Sequence, residues 1–291
     1  MNGVPASTRT PALPDTRGLR EPARSWELLR DLVRMRTGLS YDDARLDYMR
    51  DRLAPLALDR GFDSVLDYYY LLKYDANADA EWPRAIDALS VQETYFWRES
   101  DQLRALTGVV VPMLAAQGRA DIRIWSVPCA TGEEPLSIAI ALEEAGWFDR
   151  LRIQIHASDA SEAALRRARA GRYSLRSFRQ LPEELRQKYF DNVSGSEWMV
   201  KPAIRARVAS WTRVNLVQRD EVEPLAGADV IFCRNVFIYF DQGTVQHVVD
   251  TFAEHMPSPG FLCVGASESL LRLTSRFELQ DLSGAYVYVK P

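Results

Sequence analysis

The sequence predicts an α/β protein with an all-helical N-terminal domain, and three observations carry that prediction. Residues 23 to about 90 hold apolar patterns of helical period and no strand signal. From Ile122 onward, short apolar or alternating runs take turns with helical ones, the rhythm of a parallel-type sheet. Residues 189–213 break that rhythm, and Val200, Ile204 and Val208 there point to a small inserted hairpin or subdomain.

Element by element, residues 1–22 carry Pro5, Pro11, Pro14 and Pro22 among Ser, Thr and Arg, a composition that predicts a disordered tail. Leu28, Leu29, Leu32, Val33 and Met35 then recur at helical spacing up to a stop at Gly38. A second helix is expected from about Asp42 through Leu46, Met49 and Leu53 towards Pro55. A third follows Gly61 with Asp63-Ser64 as N-cap, and a fourth covers Asp79 to Leu89. Residues 91–120 form a linker and a helix over Asp101–Ala116, ending at Gly118. The region 121–291 opens on the alternating strand Ile122–Val127, followed by a helix from Pro135 to Ala145 with proline at a favourable first-turn position. Next come a strand Leu151–Ile155 and a helix Ser161–Ala170 closed by Gly171. Later elements are a strand Ala228–Cys233, a helix Gln242–Met256, and strands Phe261–Gly265 and Ala285–Val289.

Composition narrows the function classes. The 291 residues hold 36 Lys+Arg against 40 Asp+Glu, a formal net charge of −4 that disfavours general nucleic-acid binding. No run of about 18 apolar residues is present, which disfavours a membrane span. The first residues lack a charged segment followed by an apolar one, so a soluble, cytoplasmic protein without a secretory leader is expected, with no direct insertion into a membrane. Cys129, Cys233 and Cys263 are odd in number and widely spaced, and only three histidines are present. Neither a disulfide framework nor a metal site is expected, and each thiol reads as a small buried hydrophobe.

Four segments carry candidate chemistry. Trp125–Pro135 has the strand, small-residue loop and helix order that lets a ligand approach the backbone at a sheet's carboxyl end. It has neither a G-x-G-x-x-G fingerprint nor a P-loop lysine, and Glu133-Glu134 would repel phosphate. A ligand with a positive centre, such as S-adenosylmethionine (SAM), suits these glutamates; complementing the helix dipole is the alternative. Asp159, closing the second strand, is placed to accept ribose hydroxyls or to cap the next helix. In Cys233–Asp241, Arg234 and Asn235 follow an apolar strand and are costly to bury, so they are expected to face a cleft, with Tyr239 offering a hydroxyl. The alternative is an aromatic core cluster with one surface arginine. Gln92–Glu99, at the seam of the two regions, reads either as a ligand contact or as an aromatic hinge.

Taken together these segments resemble one family, the chemotaxis receptor glutamate methyltransferases (CheR family), which are SAM-dependent protein O-methyltransferases. The resemblance rests on Thr94-Tyr95-Phe96-Trp97-Arg98, Ala130-Thr131-Gly132-Glu133-Glu134-Pro135, Ala157-Ser158-Asp159 and Cys233–Phe240. Gly171-Arg172-Tyr173, Leu181-Pro182, Tyr189-Phe190, Asn215-Leu216 and Gly265-Ala266-Ser267-Glu268 also fall in the family's order. It implies a helical N-terminal domain and a Rossmann-like SAM-dependent methyltransferase domain with a small antiparallel β-subdomain inserted at 189–213. By resemblance Gln92, Thr94, Arg98, Glu133, Asp159, Asn215, Leu216, Arg234 and Asn235 bind SAM. Arg98 would face the methionyl carboxylate and Asp159 the ribose. Arg234 and Tyr239 would be the catalytic residues, nearest the transferred methyl and the incoming glutamate.

Three positions depart from the family's pattern: Gln92 stands for Asn, Trp97 for Phe, and Ala266 for the His of a Gly-His-Ser-Glu segment. The resemblance implies methyl transfer to glutamate γ-carboxylates of a chemoreceptor's cytoplasmic helical domain, giving methyl esters and S-adenosylhomocysteine, by an enzyme that acts as a monomer and needs no metal. Receptor docking is expected at Arg45, Arg50 and Arg52, among which Asp42, Asp43, Asp47 and Asp51 interleave; a solvated mixed-charge face is the bland alternative. A non-catalytic module that binds SAM or S-adenosylhomocysteine is the second function class. A methyltransferase of small molecules or nucleic acid is the third.

Overall fold

The computed structural model describes residues 23–291, so the tail expected at 1–22 lies outside the described residues. Two compact units divide the chain. Among the described residues, the first contains residues 23–32 together with Tyr41–Leu89, and the second contains Val33–Ser40 and Ser90–Pro291.

In the first unit, α1 (Ala23–Thr37) starts the chain of helices, and its last turn groups with the second unit. It is followed by α2 (Leu46–Asp59), α3 (Val65–Tyr74) and α4 (Ala78–Leu89). Met49, Leu53 and Ala57 make the buried stripe of α2, and Val65, Tyr68, Tyr69 and Leu72 that of α3. As expected, Ser64 caps α3, its hydroxyl accepting the Leu66 amide at 3.1 Å. Two boundaries of α2 differ from expectation. Residues 42–45 form a turn in which Asp42 accepts the Arg45 amide, and the helix runs on past Pro55. Proline forfeits its hydrogen bond to the carbonyl of Asp51 and its ring crowds that carbonyl; Asp51 is exposed, so the oxygen can tilt out to solvent and the helix continues. Glu81 is fully buried in this unit, where it accepts from Tyr68 at 3.0 Å and from Arg60 Nε at 2.8 Å, and pairs with Arg84. A buried carboxylate needs such partners.

The second unit opens with α5 (Ser100–Ala105), a π-helical stretch Leu106–Val110, and α6 (Val111–Ala116). The single helix expected over 101–116 is thus interrupted. Pro112 has no amide to continue the α-helical ladder, and one turn of wider winding absorbs the defect. Then follow β1 (Asp121–Ser126), α7 (Glu133–Glu144), β2 (Arg152–Asp159), α8 (Glu162–Ala170), β3 (Arg172–Ser174) and α9 (Glu183–Tyr189). β4 (Phe190–Ser194), β5 (Glu197–Val200), α10 (Pro202–Arg205), β6 (Val208–Arg213), α11 (Arg219–Ala226) and β7 (Val230–Phe232) come next. The chain ends with α12 (Gln242–His255), β8 (Gly260–Cys263), β9 (Glu278–Leu282) and β10 (Ala285–Lys290).

Seven strands form one sheet in the order β6-β2-β1-β7-β8-β10-β9. The first five are parallel, and β10 and β9 pair antiparallel at one edge. Alternate side chains enter two cores. Ile122, Ile124, Val230, Phe232, Phe261 and Val287 pack with α7 on one face, while Trp125, Ile231, Leu262 and Tyr288 pack with α11 and α12 on the other. Burial on both faces is why these strands read as apolar runs.

The small antiparallel sheet is present, with strand order β3-β5-β4, but its bounds differ from the expected 189–213. It draws β3 from residues 172–174, and it gives up β6, which pairs parallel with β2 in the main sheet (Ala157 opposite Trp211). Val200 and Val208 look alike in sequence, and only the pairing partner separates them. The edge strand β9 is an addition to the expected elements, because Glu-Leu-Gln-Asp-Leu shows no buried face.

Candidate active site

Strand order reverses direction between β1 and β7, since the chain leaves β1 to form β2 on one side and β7 lies on the other. In open α/β sheets the carboxyl ends at such a switch point frame the ligand crevice. Residues 127–132, 160–161, 214–218, 233–241 and 264–270 all follow strands at that end, and residues 90–99 are tied to them. The Phe96 amide reaches the Ser177 carbonyl at 2.8 Å, the Trp97 amide reaches Ser137 Oγ at 3.1 Å, and Gln92 Nε2 reaches Ser161 Oγ at 3.3 Å.

Backbone strain marks the same loops. Trp97, Glu99, Ala130 and Asn235 have φ of 67°, 51°, 45° and 60°, in the left-handed region that non-glycine residues avoid. Such residues persist where their surroundings over-determine them, and they cluster at functional sites. Gly132 (φ 95°) precedes α7, and a Cβ there would lie 2.9 Å from the Ala168 Cβ, so only glycine fits.

Four carboxylates are buried at this end of the sheet: Glu133, Glu134, Asp159 and Glu268. Each is satisfied differently. Glu134 accepts from Ser126 Oγ at 2.7 Å and from Arg234 Nε at 2.6 Å. Asp159 accepts the Ala130 and Ser161 amides, both at 2.8 Å, tying the loop after β1 to the loop after β2. Glu268 accepts four amides. Glu133 accepts the hydroxyls of Thr131 (2.6 Å) and Ser177 (3.0 Å), and burial pushes its carboxyl above the usual range against those hydrogen bonds.

Arg234 departs from the expectation that it faces a cleft. Its side chain is 3% exposed, with Nε on Glu134, and Nη1 on the Arg98 carbonyl at 3.0 Å and on Gln102 Oε1 at 3.3 Å. Glu99 completes the charge balance at 3.7 Å. A buried guanidinium needs acceptors, and these turn it inward. Arg98 is half-buried, reaching the Glu93 carbonyl at 3.2 Å and stacking 5.5 Å from the Tyr95 ring centre, whose ring Arg179 also covers at 3.6 Å.

The remaining expected positions belong to the same loops. Thr94 is half-buried in the segment that enters the site, and Asn235 and Tyr239 are half-buried after β7. Asn215 is buried, with Nδ2 on the Arg36 carbonyl at 2.7 Å, and Leu216 packs in the core beside it. Gln92 uses its longer amide at both ends, donating to Ser161 and accepting from Arg167 at 3.3 Å. Ala266 is exposed, and its amide donates to Glu99 Oε1 at 3.3 Å. Arg45, Arg50 and Arg52 belong to the helical unit. Arg45 and Arg52 are exposed there, Arg52 over the Tyr48 ring at 5.1 Å, while Arg50 pairs with Asp47 at 3.2 Å and lies 5.7 Å from the Trp26 ring centre. The structure adds Gln102 and Glu268 to the residues considered from sequence, and gives Glu134, there a candidate ligand contact, the role of partner to Arg234. Glu134 and Glu268 stand inside family-like motifs, so a signal for them exists, while Gln102 carries none.

The donor set fits SAM on the structure's own chemistry. The buried Glu133 carboxylate at the start of α7 suits a cationic ligand and opposes a phosphate, and Arg98 supplies a cation for a carboxylate. No thiolate competes as nucleophile, because burial pushes Cys129, Cys233 and Cys263 up. Among the described residues no cluster of His, Cys, Asp and Glu is arranged to hold a metal ion, and no helix is long and apolar enough to cross a membrane.

Residues 24–90 match the family model described as the CheR methyltransferase all-alpha domain, and residues 92–285 match the CheR methyltransferase SAM binding domain. The chain is 35% identical over 265 residues to chemotaxis protein methyltransferase 2 of Vibrio cholerae, covering 90% of this chain and 91% of that one. It is 33% identical to the chemotaxis protein methyltransferase of Salmonella typhimurium, covering 86% and 85%. Magnesium protoporphyrin IX methyltransferase of Synechocystis, solved with SAM bound, overlaps 76% of this chain and 91% of its own at a TM-score of 0.31 and 15% identity. With both domain models matched in order and relatives aligned nearly end to end, the chain belongs to the CheR methyltransferase family.

Proposed function

We propose that this protein transfers a methyl group from SAM to glutamate γ-carboxylates of a chemoreceptor's cytoplasmic helical domain, acting in the cytoplasm as a protein-glutamate O-methyltransferase. The observation that carries this reading is the pair of buried carboxylates, Glu133 and Asp159, at the sheet's switch point, in a site whose strand-end loops hold no histidine beside a nucleophile. Such a site suits a reaction in which the substrate brings its own nucleophile. A glutamate carboxylate is ionised at neutral pH, so no strong base is needed. Bound SAM supplies a sulfonium methyl, which the γ-carboxylate oxygen takes in line to leave S-adenosylhomocysteine and a methyl ester.

The residues' share is alignment, which is worth about 7–11 kcal/mol when reactants are held near attack. In this reading Arg98 holds the methionyl carboxylate, Asp159 takes ribose hydroxyls, and Glu133 faces the cationic side of the ligand. Gln92, Thr94, Asn215, Leu216 and Asn235 complete the wall. Tyr239 orients the incoming glutamate. Arg234, held inward by Glu134, Gln102 and the Arg98 carbonyl, acts as a positioning residue for the loops on either side of it. Arg45, Arg50 and Arg52 dock the acidic receptor helices.

The test is incubation of the purified protein with methyl-labelled SAM and candidate receptor cytoplasmic domains. Label on the receptor that mild alkali releases is expected, as from a carboxyl ester. Label that survives alkali overturns the reading. Binding of S-adenosylhomocysteine without any transfer replaces it with a non-catalytic sensor.

A further inference from the structure

We propose that Glu268 is a positioning residue of this site, its carboxylate tying the turn 234–239, which carries Arg234, Asn235 and Tyr239, through three backbone amides and the turn after β8 through a fourth. The proposal deepens the reading above and rests on it for its catalytic consequence.

Glu268 Oε2 accepts the Asn235 amide at 2.7 Å and the Gly265 amide at 2.6 Å. Oε1 accepts the Phe237 amide at 2.7 Å and the Ile238 amide at 3.3 Å. An ionised carboxylate offers about four lone-pair sites, and here each meets an N–H. Three of the four donors lie in the turn after β7, and the fourth lies in the turn after β8. One side chain therefore laces together two strand-end turns that the sheet ladder no longer reaches.

The geometry around it is shaped for this contact. A Cβ at Gly265 would stand 2.7 Å from Glu268 Oε2 and would collide with the side-chain carboxamide of Asn235, so glycine admits both groups. Asn235 is held at φ 60°, and its amide is one of the four that Glu268 takes. The carboxylate is buried, so losing its charge leaves amides facing one another without solvent to serve them. Glutamine is nearly isosteric but brings one acceptor oxygen and an NH2 that donates, which sets a donor against N–H groups. The turn then relaxes and carries the Tyr239 hydroxyl with it. A misplacement of about 1 Å at a reacting centre costs about 10²-fold in rate.

The experiment compares full-length wild type, Glu268→Gln, and Val248→Ala as a control for general loss of stability. Val248 is fully buried on α12 and lies outside the strand-end turns. Three quantities are read: amide hydrogen exchange at Asn235, Phe237, Ile238 and Gly265, affinity for S-adenosylhomocysteine, and methyl-transfer kcat. For Glu268→Gln, exchange is expected to rise at those amides while the central strands stay protected, with kcat falling roughly 10–100-fold. Val248→Ala is expected to lower the thermal midpoint and leave kcat and affinity within about twofold of wild type. Unchanged exchange in Glu268→Gln overturns the proposal, as does a kcat and affinity loss no greater than that of Val248→Ala at equal thermal midpoint. If wild type transfers no methyl group to any receptor domain, the functional reading fails, and exchange with product affinity still decides the role of Glu268.

Discussion

Arg234, two residues past the end of β7, donates from Nε to Oε2 of Glu134 in the first turn of α7 at 2.6 Å, and both side chains are buried. The pair is the middle of a chain of hydrogen bonds. Ser126 at the end of β1 donates to Glu134, Arg234 donates to Gln102 on α5, and Gln102 donates to the Val264 carbonyl after β8. Three strand ends and two helices are thereby fixed to one another through polar contacts. Such a network rigidifies a site when every member is satisfied, and it fails as a unit when one is removed.

Glu134→Gln is therefore expected to destabilise the protein strongly. Removing one partner of a buried pair leaves an uncompensated charge, which costs about 3–5 kcal/mol. Urea unfolding followed by near-ultraviolet dichroism measures this. A double-mutant cycle with Arg234→Met checks the mechanism, because the second substitution removes the stranded cation and should recover part of the loss. A double variant no better than Glu134→Gln contradicts the pairing argument.

Tyr239→Phe tests the other half of the strand-end turn. Deleting one hydroxyl removes a donor without removing the ring, so S-adenosylhomocysteine affinity should stay near wild type while kcat falls about 10²-fold. Turnover equal to wild type with intact binding assigns Tyr239 to packing alone.

How much of the fold is legible in the sequence follows the range of the forces involved. Helix caps and strand runs depend on neighbours in sequence, so Ser64 and the alternation of Ile122 and Ile124 can be read directly. Pairing partners depend on distant chain. Hence β6 reads in sequence as part of the inserted sheet, and β9, which owes its ladder to β10, does not stand out. A local clue to β9 does exist: Ser283 and Gly284 have φ of 58° and 88°, the pattern of a two-residue hairpin turn. The site divides in the same way. The loops bearing Glu133, Asp159 and Asn235 can be found from their order along the chain. The inward turn of Arg234 cannot, because it depends on Gln102 and Glu134, residues far from it in sequence.

The exposed arginines of the helical unit make a separable prediction. Double reversal at Arg45→Glu and Arg52→Glu should lower receptor kcat/KM roughly tenfold at low salt by removing electrostatic attraction to an acidic partner. The deficit should shrink as ionic strength rises, since exposed charges are screened within about 10 Å at 0.1 M salt. Affinity for SAM should not change, and a parallel loss of SAM affinity would assign the effect to misfolding.

Glu133 links the pH dependence of stability to ligand binding. Its carboxyl is held above its ordinary value of 4.5, first by burial, so the folded state binds this proton more tightly than the unfolded state. Stability from this group therefore falls as pH rises from about 4.5 through the folded value, and at neutral pH the buried charge is a net cost. Glu133→Gln removes that cost while its amide oxygen can still accept from a neighbouring hydroxyl. The variant should melt above wild type at pH 7, and the two curves should converge as pH falls below the ordinary carboxylate range. If the carboxylate is kept for the cationic side of SAM, the same variant should bind SAM about tenfold more weakly, the loss of one charge-assisted contact. Thermal melts from pH 4 to pH 8, with calorimetric SAM titrations at pH 7, measure both. A variant less stable than wild type at pH 7 would show that the hydroxyl contacts from Thr131 and Ser177 outweigh the burial of the charge.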